Sequence, residues 1–181
     1  MGELYRMVHE AFSRPGDLEP AIPHVVRRAC LKLMHRPALA NESMWIAFGP
    51  AARGEDTCIV RRLVWRKDLD GDRGNPMTRL RRLGQDLKPT IEIADGTIEM
   101  DDLQSQLETF PSLGAASQFS RRGITLDGTR CSIELDSGYG SWRHAWLGVE
   151  SDWTPANDLH RNMASWASRF CAWLDAALDS E

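Results

Sequence analysis

Arg130-Cys131-Ser132-Ile133-Glu134-Leu135-Asp136 decides how this chain is read. Cys131, Ile133 and Leu135 alternate with Ser132, Glu134 and Asp136, and a period of two marks a half-buried β-strand. Gly138 and Gly140 then permit a turn at little steric cost. The chain returns as Trp142–Val149, so the two runs predict a hairpin. In the return, Trp142, His144 and Trp146 share one face, and Arg143, Ala145, Leu147 and Val149 the other. The aliphatic face is expected to be core, with the Trp face partly covered.

From Thr154-Pro155 the period changes. Thr suits an N-cap, Pro the first helical position, and Asp158 the positive end of the helix dipole. Leu159, Met163, Trp166, Ala167, Phe170, Trp173, Leu174, Ala177 and Leu178 recur at threes and fours. They predict a long terminal helix with a wide apolar stripe facing the core. Asp175, Asp179 and Glu181 suit its negative end badly, so its last turn is expected to fray.

Working back toward the N-terminus, Gly2–Phe12 reads as a helix with Leu4, Val8, Ala11 and Phe12 inward. Pro20–His35 reads as a second, with Ile22, Val25, Val26, Ala29 and Leu33 inward and Arg27, Arg28 and Lys32 outward. Met44–Phe48 and Thr57–Lys67 read as a hairpin, with Ile59, Leu63 and Trp65 on one face. Asp68–Gly74 reads as a polar loop, and Asn75-Pro76 opens a short helix carrying Met77, Leu80, Leu83 and Leu87. Asp95-Gly96, a strong two-residue turn signal, predicts a hairpin of Thr90–Ala94 with Thr97–Met100. Asp101–Phe110 reads as a helix. Arg122–Leu126 is expected to join the Thr129 strand through Asp127-Gly128. Helices and antiparallel strands in groups argue an α+β fold: mainly an antiparallel sheet of hairpins, with helices packed on it and a long C-terminal helix. A length of 181 residues fits a single domain over 1–181, with 1–88 as a looser subregion.

The net charge of −4 is unevenly spread. Residues 61–88 hold 9 basic and 4 acidic side chains, whereas 89–181 hold 6 basic and 15 acidic ones. The Arg61–Lys88 stretch is expected to be solvated or ion-paired, and an acidic excess to remain on the surface. That excess argues against nucleic acid as a partner. Cys30, Cys58, Cys131 and Cys171 lie in no paired spacing and inside apolar patterns, which predicts reduced, mutually distant thiols and a cytoplasmic protein. No apolar run approaches the length of a membrane span.

Three motifs fail on their spacing. Asp68-Leu69-Asp70-Gly71-Asp72 resembles a calcium loop, but Arg73 and Arg79 occupy the positions where Gly and Glu are required. Ser141 lacks the flanking glycines of a nucleophile elbow. The five histidines show no zinc-ligand spacing, so neither metal nor cofactor is expected.

The expected function is therefore a non-enzymatic protein-binding module of inhibitor or immunity type, taking a basic protein partner. Trp142, Trp146 and Trp153 would anchor it, and Glu134, Asp136, Glu150 and Asp152 would rim the contact. One alternative is a small enzyme using His144, Asp136, Arg143 and Glu134 in the Glu134–Asp152 region. The other is an oligomeric structural subunit.

Overall fold

β1 (Ala29–Arg36), β2 (Glu42–Phe48), β3 (Thr57–Trp65) and β4 (Ile91–Glu99) form an antiparallel meander in the computed structural model. β5 (Thr129–Asp136) returns to pair with β1, and β6 (Ser141–Gly148) lies outside it. The sheet order is β4-β3-β2-β1-β5-β6, so both halves of the sequence share one sheet. The structure describes residues 2–19, 22, 29–37, 40–49, 56–70, 88–110, 129–136, 141–148 and 158–179, with backbone alone at 2, 129–130, 141–148, 158–161 and 164. This is an α+β protein, and the terminal hairpin and helix lie where the sequence puts them.

Two helices cover one face. They are α3 (Met100–Glu108) and α4 (Asp158–Leu178), while α1 (Gly2–Ser13) covers the other and α2 (Lys67–Asp70) is a single turn after β3. On the α4 face, Met163, Trp166, Ala167, Phe170, Leu174 and Leu178 bury against Leu31, Leu33, Trp45, Ala47, Val60 and Ile133. The threes-and-fours spacing thus becomes one continuous contact. Each of its large side chains contributes roughly 1.5–3 kcal/mol on burial. On the α1 face, Val8 and Phe12 pack on Met34, Met44, Leu63 and Trp65.

Two predicted elements are different in the structure. The predicted Pro20–His35 helix does not extend over Ala29–His35, which belongs to strand β1, and most of its first half lies outside the described residues. β1 lies between β2 and β5 with both faces covered, and a strand buried on both sides loses the clean alternation that would reveal it. Its outward cation, Lys32, instead donates to the carbonyl of Phe12 at the end of α1, at 3.1 Å.

The Asp95-Gly96 hairpin does not form. Residues 91–99 run straight as one strand paired along its whole length with β3. Asp95 is held opposite Arg61, and Gly96 is the site of a close helix approach. A Cβ there would lie 3.1 Å from Leu178 Cδ2 and 3.3 Å from the Ala177 carbonyl. The glycine serves packing rather than a turn.

Asp68–Gly74 is not wholly a solvated loop. Asp70 is buried at 3% exposure and accepts from Trp65 Nε1 at 2.9 Å, Thr90 N at 2.7 Å and Thr90 Oγ1 at 2.8 Å. The 77–87 helix, the Thr154-Pro155 cap and the Arg122–Leu126 strand lie outside the described residues.

Candidate functional site: a cleft at the end of helix α1

β1 carries an irregularity between Ala29 and Leu31 in its pairing with β2. A bulge of this kind bends the strand and loosens the local ladder. Beside it, α1 ends and the chain turns through a short 3-10 segment, Pro15–Asp17. Between this turn and the strands lies an open cleft of about 590 Å³, bordered by Arg14, Lys32, Ile46, Phe48, Glu134 and Asp136.

The wall formed by the turn is fixed by a buried cation. Arg61 is fully buried on β3. Its Nη1 donates to the carbonyls of Pro15 at 2.8 Å and Leu18 at 2.9 Å. Its Nε and Nη2 make paired bonds to Asp95, both at 2.6 Å. Such two-pronged pairing suits the planar guanidinium and is stronger than a neutral hydrogen bond. It also meets the requirement that a buried charge be both paired and fully hydrogen-bonded. Lys32 and Arg61 thus both hold carbonyls at or just beyond the end of α1, where cations are favoured by the helix dipole.

Cross-strand register explains how these charges come together. Glu134 pairs with Lys32, Lys32 with Ile46, Ile46 with Arg61, and Arg61 with Asp95. Directly opposed residues lie on one face of a sheet, so this row crosses the α1 face from β5 to β4. Asp136 stands two residues beyond Glu134 on the same strand, hence on the same side.

Of the expected partner residues, only Glu134 and Asp136 have described side chains. Glu134 and Asp136 both border the cleft. Positions 142 and 146 pair with Leu135 and Cys131, in the alternate register set from Glu134 and Asp136. Their side chains, and residues 150, 152 and 153, lie outside what the structure describes. Register also separates the enzyme constellation. Position 143 opposes Glu134, whereas position 144 opposes Ile133. Four cleft contributors, Arg14, Lys32, Ile46 and Phe48, were not singled out for binding by the sequence. Nothing short of knowing that β5 returns beside β1 would have grouped them.

Within the Arg61–Lys88 stretch, Arg61, Arg62, Arg66 and Lys67 are all ion-paired. Arg61 meets Asp95, Arg62 meets Asp175 at 2.8 Å, and Arg66 meets Asp68 and Glu92. Lys67 and Arg36 both meet Glu42, at 2.9 and 3.3 Å. Glu92, Glu99, Asp101, Asp102 and Glu108 remain exposed along β4 and α3.

The four thiols are free, but they are not all mutually distant. Cys30 and Cys58 are hydrogen-bonding partners, and this contact, with burial, pushes the Cys30 thiol well above the ordinary range. Cys171 is pushed up to about 12 by burial, with smaller contributions from Asp175 and Cys131. Among the described residues no three His, Cys, Asp or Glu side chains cluster as a metal-ligand set. No described helix is long and apolar enough to cross a membrane. No family model matches the chain, and neither a curated protein nor a solved structure matches it.

Proposed function

We propose that this chain is a non-enzymatic protein-binding module that receives a basic side chain of a partner protein in the cleft. The observation that supports this reading is the placement of Glu134 and Asp136 on the same side of β5, at an opening also lined by apolar edges of Ile46 and Phe48, which are themselves largely buried. Paired carboxylates suit a guanidinium or ammonium group, and the apolar edges suit the methylene stem behind it. Lys32 and Arg14 also border the opening, so its local charge is balanced. Of these, Lys32 is committed to the Phe12 carbonyl. The longer-range preference for a basic partner comes from the exposed acids on β4 and α3 and the net charge of −4. A field of that sign raises association rates more than it deepens affinity.

The test is paired capture from native cells with three baits: the wild type, Glu134→Gln/Asp136→Asn, and Arg14→Gln. A protein partner with a basic contact surface should be held by the wild type and by Arg14→Gln and lost from the double variant. Its on-rate should fall as salt rises. Retention by all three baits, or capture dominated by nucleic acid at physiological salt, would overturn the reading.

A further inference from the structure

We propose that Cys30, Cys58 and Met100 form a binding site for one soft, thiophilic d10 metal cation, with Cu(I) as its physiological representative. The Cys58 thiol lies 3.6 Å from the Met100 thioether sulfur. The Cys30 thiol contacts that of Cys58 and also donates to the Ala47 carbonyl at 3.4 Å. Three sulfur atoms therefore converge from β1, β3 and the first residue of α3.

Each is placed by a specific feature of the chain. The irregularity in β1 lets both Cys30 and Leu31 pack toward the α4-face cluster that contains Cys58. Ala47, on the strand between them, contributes only a methyl group. Met100 is tied to the start of β3 by its backbone N–H, which donates to the Asp56 carbonyl at 2.6 Å.

The donor set decides the class of ligand. Two thiols and a thioether, with no carboxylate or imidazole, select soft cations over Mg²⁺, Ca²⁺ or Mn²⁺. Metal–thiolate bonds of about 2.3 Å place two sulfurs of a trigonal site about 4 Å apart, close to the spacing already present. Binding one Cu(I) through both cysteines releases two thiol protons and leaves one net negative charge. Cys30 is only partly buried, whereas Cys58 is fully buried, so the ion would enter from the Cys30 side of the site.

The obvious rival for a pair of touching thiols is a disulfide, and the strand order opposes it. Cys30 is on β1 and Cys58 on β3, with β2 between them. Two strand spacings amount to about 9.5 Å. A disulfide needs Cα atoms within about 4.4–6.8 Å. A metal ion spans the difference because it adds two bonds between the sulfurs.

The proposal is tested by anaerobic titration of the fully reduced chain with Cu(I) held by bicinchoninate, a coloured competitor. The wild type should withdraw one equivalent and develop thiolate-to-Cu(I) absorption in the near ultraviolet. Cys30→Ser should abolish both signals. Met100→Leu, which preserves core volume but removes one of the three sulfur ligands, should weaken binding at least tenfold, since even loss of a group that only supports a ligand costs about 10–100-fold. Cys131→Ser should bind as the wild type does. Circular dichroism confirms that each variant is folded, and Met100→Leu keeps the test valid should Cys30→Ser not fold. Equal withdrawal by wild type, Cys30→Ser and Met100→Leu would overturn the site. So would an intramolecular Cys30–Cys58 disulfide formed on diamide treatment of the native protein.

Discussion

The two faces of the sheet are closed by different chemistry. The α4 face is almost wholly apolar, and its aromatic side chains stack along the helix. Phe170 lies 4.7 Å from Trp166 and 5.6 Å from Trp173, ring centre to ring centre, and Phe110 meets Trp166 edge-on. Among the described residues, polar groups enter at its margins. Asp175 accepts there from Trp45 Nε1 at 2.7 Å, and Thr109 accepts from Trp166 Nε1 at 3.0 Å. The α1 face holds the buried ions: Arg61 with Asp95, Glu42 with Arg36 and Lys67, and Asp70 beneath Trp65. A 12-residue helix covers less sheet than a 21-residue one. The shorter helix is fastened by directional bonds to its end, and the longer one by area. The cleft opens on the face where the cover is short.

Breaking the apolar face should cost most. Phe170→Ala removes a 2% exposed ring from the middle of the aromatic stack. It should cost about 3–5 kcal/mol in denaturant melts, as large-to-small changes in a core do. On the other face, Arg61→Met should cost about 3 kcal/mol, because removing one partner of a buried pair strands the other. The double variant Arg61→Met/Asp95→Leu sharpens the contrast. It removes both charges but leaves the Pro15 and Leu18 carbonyls without their donor. Recovery should therefore be partial, and full recovery would show that the bonds to the turn contribute nothing.

Legibility in the sequence followed the same division. The α4 face was readable because its helix packs with one stripe and β5 packs with one covered side, so period and burial coincide. The α1 face was not. Lys32 reads as a solvent cation, Arg61 as one of a basic run, and Asp95 as half of a turn signal. Each is claimed by a partner at least 20 residues away. A buried ion pair has no period, so it leaves no pattern along the chain. The cleft inherits this opacity. Glu134 and Asp136 could be nominated from an alternating strand, but their neighbours across the opening come from other elements.

Gly96 tests the margin where α4 crosses the edge of the sheet. Gly96→Val should cost about 1–3 kcal/mol, the usual range for overpacking a filled site. The loss should appear first as faster amide exchange in the last turn of α4, at Ala177 and Leu178, because the crowding falls on that backbone. Loss of exchange protection in α1 instead would mean that the strand, not the helix, gives way.

The smallest expected effect belongs to an ion pair outside both faces. Asp68 is held at about 2, below the usual carboxylate range, chiefly by its hydrogen bonds with Arg66 and secondarily by Asn41. Arg66 is in turn held charged by Asp68 and Glu92. A depressed folded-state value means that the pair's contribution is present above the unfolded value of 3.8 and is lost as pH falls through about 2. Both groups face solvent, where screening and side-chain entropy leave such pairs with little net effect. Asp68→Asn should therefore leave the melting curve at pH 7 unchanged, in contrast to Arg61→Met. A carboxyl titration followed by NMR should still show Asp68 with a midpoint near 2, moving toward the ordinary range in 1 M salt. A destabilisation by Asp68→Asn comparable to that of Arg61→Met would erase the distinction between fastening by buried ions and decoration by exposed ones.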